Sequence, residues 1–204
     1  MIATIIDIVA SRNVNTRYRR KLDKEIRDAL SQTYERFKEH CAAIPALTQG
    51  DSVELLTGSW QPIIFLFHTL LMKKLEFRVG LGTGNIVIHA ENADECDGPA
   101  FWNAREALNE IRQTKYMSRP AGFRIDEKAP VDETNAVIYS ILILSSLLSL
   151  SHTQLQHCFF YIWEKKRISD IAESVKTSTA NVSKSLGRTP CYLLESVLSF
   201  LNRE

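Results

Sequence analysis

Two carboxylates stand where apolar runs end. Asp7 closes Ile2-Ala3-Thr4-Ile5-Ile6, and Asp51 sits with Gly50 between Ala43–Leu47 and the alternating stretch Ser52–Leu56. A Gly-Asp pair between two such runs is a hairpin signal, and it leaves a carboxylate at the tip of a ribbon. A sheet that set these strand ends side by side would offer two hard oxygen ligands, the chemistry that holds a divalent cation such as Mg2+. Turn chemistry explains each acid separately, because Asp side chains bond nearby backbone N–H groups. Both readings stand at this point.

A second feature is the run Glu76–Ile88, which alternates like a strand and carries glycine at 80, 82 and 84. Glycines two apart in a strand share a face. With no side chains there, another backbone or a ligand can come close, and Gly82 is the central position. The spacing is not that of the dinucleotide fingerprint, which opens directly into a helix.

A third feature lies near the C-terminus. Ile168–Val175 predicts a short helix, Lys176-Thr177-Ser178 a turn, and Thr179–Leu186 a second helix. Ala172 and Val182 are spaced as a small residue at a helix crossing and its core partner, with Ile171, Val175 and Leu186 completing the seam. This is a helix-turn-helix pattern, placed over 168–188. Thr179, Asn181, Ser183, Lys184 and Arg188 fall on the exposed side of the second helix, and their types suit base-edge and phosphate contacts on DNA. Lys176 stands where the turn commonly has glycine. Residues 152–204 carry seven Lys/Arg against five Asp/Glu, a weak basic bias, so a small bundle for dimerisation is the competing reading.

The elements that must position these residues follow from periodicity. Ile2–Val9 predicts a buried strand and Arg17–Ala42 an amphipathic helix whose apolar face is Leu22, Ile26, Ala29, Leu30, Tyr34 and Phe37. After the hairpin, Ser59 suits the N-cap of a helix over Trp60–Leu75, and Pro62 is tolerated in its first turn. His68, alone on that helix, reads as packed rather than ligating. Ala100–Lys115 predicts a helix and Ala121–Ile125 an edge strand. The order β-α-β-β-α-β-α-β implies an antiparallel sheet with helices on one face, a ferredoxin-like α+β arrangement over residues 1–127. Helices over Val131–Leu150 and Thr153–Lys166 then lead an all-α domain, 128–204.

Composition narrows the function classes. The 204 residues carry a net charge of +1 and are 45% hydrophobic, which supports a real core and no global field toward nucleic acid or membrane. Cys41, Cys96, Cys158 and Cys191 form no C-x-x-C pair and read as reduced thiols of a cytoplasmic protein. No signal peptide is expected, because Met1–Ala10 lacks a basic region and a cleavage site. Ala136–Leu150 is too short to span a bilayer, so no membrane association is expected.

The set Asp7–Arg12, Gly50-Asp51, Arg78–Ile86 and Asp97–Leu108, with the C-terminal helix pair, resembles the SatD family over nearly the whole chain. The first part is also distantly similar to the class III nucleotidyl cyclase fold. That resemblance implies that Asp7 and Asp51 hold metal with the Ile8 carbonyl, that Arg78–Ile86 is the fold's glycine-bearing strand, and that Ala104-Arg105 ends its asparagine/arginine helix motif. Two departures weaken catalysis. Phe101 stands where the cyclase helix has its asparagine, Asn103 being only two residues before Arg105. Leu47 replaces the base-selecting lysine.

Three functions are therefore in play. In the first, a degenerate cyclase-like domain senses a nucleotide or phosphate-bearing ligand and the helix-turn-helix docks on DNA as a homodimer. In the second, the chain is a metal-dependent, cyclase-like enzyme acting on a nucleoside triphosphate, with Arg12 and Arg105 touching phosphates. The third is an adaptor with neither activity.

Overall fold

The structure is a computed structural model that describes residues 1–9, 16–48, 52–113 and 121–201. The expectations for Arg12, Gly50 and Asp51 lie outside those residues. A five-stranded sheet is built around its most apolar strand, β1 (Ile2–Ile8). Two strands flank it antiparallel, β3 (Ser52–Thr57) on one side and β4 (Phe77–Thr83) on the other. Outside them lie the two-residue strand β2 (Ala46–Leu47), antiparallel to β3, and β5 (Ala121–Arg124), parallel to β4. The spatial order is β2-β3-β1-β4-β5. The helices interleaved with these strands are α1 (Thr16–Phe37), α2 (Gln61–Met72) and α3 (Pro99–Gln113). The order of elements along the chain is the expected one.

Two expectations for the sheet are corrected. The sheet is mixed, since β4 and β5 run parallel; a parallel neighbour needs a crossover, and α3 supplies it. Helices also cover both faces. Ile2, Ile6 and Ile8 of β1 join the core beneath α1 and α2, whereas Ala3 and Ile5 join a second core with Ala100, Phe101, Ala104 and Leu108 of α3. A strand apolar on both sides must be covered on both. The glycines of β4 make the second cover possible. A Cβ on Gly80 would overlap the Ala104 carbonyl, and one on Gly82 would overlap backbone atoms of Ala100 and Ala104. The α3 backbone therefore fills the space beside Gly82, the position expected to face a ligand. Strand β4 stops at Thr83 rather than Ile88, because Gly84 turns the chain at a φ of +147°.

Five further helices follow: α4 (Val131–Leu148), α5 (His152–Ile162), α6 (Ile168–Ser174), α7 (Thr179–Gly187) and α8 (Cys191–Leu201). Helix α2 lies between the sheet and this group, and every residue from Pro62 to Leu70 is buried. Its N-cap is Trp60 without a side-chain bond, not Ser59, whose hydroxyl is buried and unpartnered. The core under α1 and α2 continues through Val137, Leu144, Cys158 and Trp163 to Val182 and Leu198. His68 ties this joint. Its Nε2 lies 2.9 Å from the Leu155 carbonyl, and its Nδ1 accepts the Trp163 indole N–H at 3.1 Å. Burial lowers its pKa to about 4, and both bonds require the neutral ring with hydrogen on Nε2. Arg36 donates to the Trp163 carbonyl and lies over the rings of Phe37 and Phe65.

The cysteine expectation is corrected for one pair. Cys158 on α5 and Cys191 at the start of α8 are disulfide-bonded, with Cα atoms 5.6 Å apart, so the packing of α5 on α8 brings them within bridging reach. Cys41 and Cys96 are free thiols. With one pair bridged, the cysteines no longer argue for a reducing compartment. Among the described residues no helix is long and apolar enough to cross a membrane.

Candidate functional site

Strand pairing brings the ends of β1 and β3 together as expected: Asp7 lies opposite Ser52, one residue from Asp51 in the chain. On its other side Asp7 faces Arg78 of β4. The carboxylate does not stand open. Arg112, in the last turn of α3, grips it with two parallel contacts, Nη2 to Oδ1 at 3.1 Å and Nε to Oδ2 at 3.2 Å. Arg78 Nη1 reaches Oδ2 at 3.5 Å. The fork is the geometry in which guanidinium binds carboxylate and phosphate alike. The Asp7 side chain is 20% exposed and that of Arg112 42%, so solvent reaches the pair.

Of the two acids that the cyclase resemblance implies for magnesium, Asp7 is described here and Asp51 lies outside the described residues. A hard dication needs several oxygen donors. Both oxygens of the Asp7 carboxylate meet guanidinium groups. Among the described residues no three His, Cys, Asp or Glu side chains converge to hold a metal ion.

Arg105 lies elsewhere. It is seven residues before Arg112 on α3, two turns or roughly 10 Å along the axis. Its guanidinium meets Asp97 at 3.5 Å, and the Trp102 indole donates to the same carboxylate oxygen at 3.1 Å. Glu54 of β3 shares this side of the sheet. Its Oε2 is buried without a hydrogen-bond partner, and burial raises its pKa, with Asp94 and Asp97 adding to the rise and Arg105 opposing it. Arg105 is thus set among acids, an unfavourable place for a phosphate. Asn103, two residues earlier, donates its amide to the Thr83 carbonyl at 2.9 Å, and Phe101 is fully buried. Both residues serve the packing of α3 on β4.

The C-terminal helix pair has the expected packing. Ile171, Ala172, Val182 and Leu186 are buried, with Val175 partly so. The turn between α6 and α7 uses Lys176 at a φ of +55°, the left-handed conformation that glycine usually supplies. Thr177 N–H closes it on the Ala172 carbonyl at 2.9 Å. Ser178 caps α7 by accepting the Asn181 N–H. Thr179, Asn181, Ser183, Lys184 and Arg188 are all exposed. The Asn181 amide donates to the Thr177 hydroxyl at 3.2 Å.

The structure thus brings Asp7 to the strand end beside Ser52, keeps Arg105 two turns away from it, and leaves Thr179, Asn181, Ser183 and Lys184 of α7, with Arg188 just beyond it, exposed. Arg112 was not singled out from the sequence, although the seven-residue step from Arg105 places it on the same helix face. Glu54 was read only as an alternating strand residue.

A family model, that of the SatD family, matches residues 1–192. No curated protein and no solved structure matches the chain.

Proposed function

The chain belongs to the SatD family, and we propose that it is a cytoplasmic DNA-binding regulatory protein whose α+β part senses a nucleotide or similar phosphate-bearing ligand. The observation that carries this reading is the surface of α7. A short helix packed on its predecessor through a small-residue crossing, with short polar and basic side chains along its outer side, is what a helix-turn-helix presents to a major groove. Packing of α5 and α8 against the pair gives it a firm base.

The order β2-β3-β1-β4, with the hairpin nested between α1 and α2, supports a ferredoxin-like, cyclase-like reading of the first four strands. The enzyme reading draws less support. The cyclase asparagine position is the buried Phe101, and Asn103 is spent on a main-chain carbonyl. Recognition of half-sites calls for two copies. Helices α4 and α8 supply an apolar face for a second copy, with Ile138, Tyr139, Leu142, Leu193 and Phe200 exposed and the Tyr139 and Phe200 rings edge to face at 6.0 Å.

The test is fluorescence anisotropy of labelled random and selected duplexes at several salt concentrations. The reading predicts binding that falls steeply with salt. Absence of binding at every salt concentration, with nucleotide and magnesium included, contradicts it and leaves the C-terminal helices as an interaction module.

A further inference from the structure

A cavity of about 180 Å3 lies where the α+β part meets the C-terminal helices. Arg36 and Phe37, which end α1, line one side of it with Gln61, which opens α2. Ile162 and Trp163 at the end of α5, and Leu198 and Ser199 of α8, line the other. The walls are of two kinds. Phe37, Ile162, Trp163 and Leu198 are buried and apolar, whereas Arg36 and Ser199 are exposed. The Arg36 guanidinium lies over the Phe37 and Phe65 rings, 5.7 and 5.3 Å from their centroids, and donates to the Trp163 carbonyl. No carboxylate pairs with it among the described residues, and one carbonyl engages only part of its five-donor fork. Lys165, the other cation of the wall, is already held by Glu195 at 2.8 Å.

We propose that this cavity is a binding site for a small organic monocarboxylate, whose carboxylate takes the Arg36 fork and whose apolar body lies against Trp163, Phe37 and Leu198. The chemistry of the walls selects that class. A guanidinium seated on ring faces is pre-organised for a planar two-oxygen acceptor. Buried apolar walls beside it reward an apolar body, which inorganic phosphate and acetate lack. Size sets the upper limit, since clefts for drug-sized ligands run to about 300–1,000 Å3. A nucleotide is therefore excluded, and the site is separate from the one that takes a phosphate-bearing ligand. The occupant touches α1 and α2 on one side and α5 and α8 on the other. Its binding is thereby linked to the packing of the helices that carry α7 on the α+β part.

The experiment is NMR titration of the isotopically labelled full chain, followed at the Trp163 indole, with benzoate and isovalerate as probes. Their amides supply the body without the charge, and acetate supplies the charge without the body. At least one probe should shift the Trp163 resonance saturably, with its amide and acetate about tenfold or more weaker. Arg36→Gln should weaken that probe about tenfold or more, because it loses the charge-assisted fork. Ser199→Trp fills the cavity from an exposed position and leaves the Arg36 bonds in place. It should abolish the shift, and it carries the test should Arg36→Gln not fold. Circular dichroism checks each variant. No saturable shift with either probe overturns the inference. A probe matched by its amide or by acetate overturns it too, as does one that binds Ser199→Trp as tightly as the wild type. Each of those results leaves the DNA-binding reading standing, since anisotropy on duplexes tests that separately.

Discussion

Trp163 donates its indole N–H to Nδ1 of His68 at 3.1 Å, and through this bond the end of α5 is fastened to the middle of α2. The imidazole sits on the buried stretch of α2 and bonds at both nitrogens to α5 and the residue that ends it.

Stability should depend on pH through His68. Its folded pKa of about 4 lies below the ordinary value of 6.5. Its contribution is therefore full above about pH 6.5 and is lost as pH falls toward 4, because the unfolded chain takes up the proton first. The 2.5-unit difference corresponds to on the order of 3 kcal/mol. Denaturant melts between pH 7 and 4 check this. His68→Gln should flatten that pH dependence. Trp163→Phe, which leaves Nδ1 buried without a donor, should cost about 1–3 kcal/mol at pH 7.

Gly82→Ala should destabilise the fold by about 2 kcal/mol or more, since the new methyl group meets α3 backbone that cannot rotate away. Gly187, with open space around it, is the control, and Gly187→Ala should be near neutral or stabilising. Thermal unfolding of both variants gives the comparison. Equal midpoints would contradict the close approach of α3.

Lys176 holds the left-handed conformation with a side chain attached. Lys176→Gly relieves that strain, and Gly costs little at a helix C-terminus. The variant should gain about 0.5–1 kcal/mol in denaturant titration.

Leu142 and Phe200 are each 58% exposed on neighbouring helices. If a second copy covers them, Leu142→Glu should shift sedimentation from dimer toward monomer without altering the circular dichroism spectrum. A wild type that sediments as a monomer at all concentrations would contradict pairing through this face.

Local pattern carried the order of elements and the α6–α7 seam, because both rest on periodicity and helix-end chemistry within short windows. The apolar run of β1 was also legible, yet its meaning was not drawn: Ile2-Ala3-Thr4-Ile5-Ile6 is apolar at odd and even positions, which requires cover on both faces. The glycines of β4 announced a close approach, and only the packed helix shows that α3 backbone makes it. Register is a long-range property. That Asp7 lies between Ser52 and Arg78, and that α3 ends where Arg112 reaches it, depends on three strands assembling at once. The Cys158–Cys191 bond spans 33 residues with no local motif, and it follows from α8 packing back on α5.

The central claim is that α7 reads DNA, and Lys184 and Asn181 separate its two components. Both are exposed on the outer side of α7. Phosphate contacts are salt-dependent and sequence-blind, whereas base-edge contacts carry preference. Anisotropy titrations on selected and random duplexes across a salt series should show Lys184→Ala weaker on all duplexes, with the salt slope reduced by about one unit. Asn181→Ala should lose about 1–3 kcal/mol on the selected duplex and little on random ones. Wild-type protein that shows no salt-dependent duplex binding, or variants that match it on every duplex, would contradict the account.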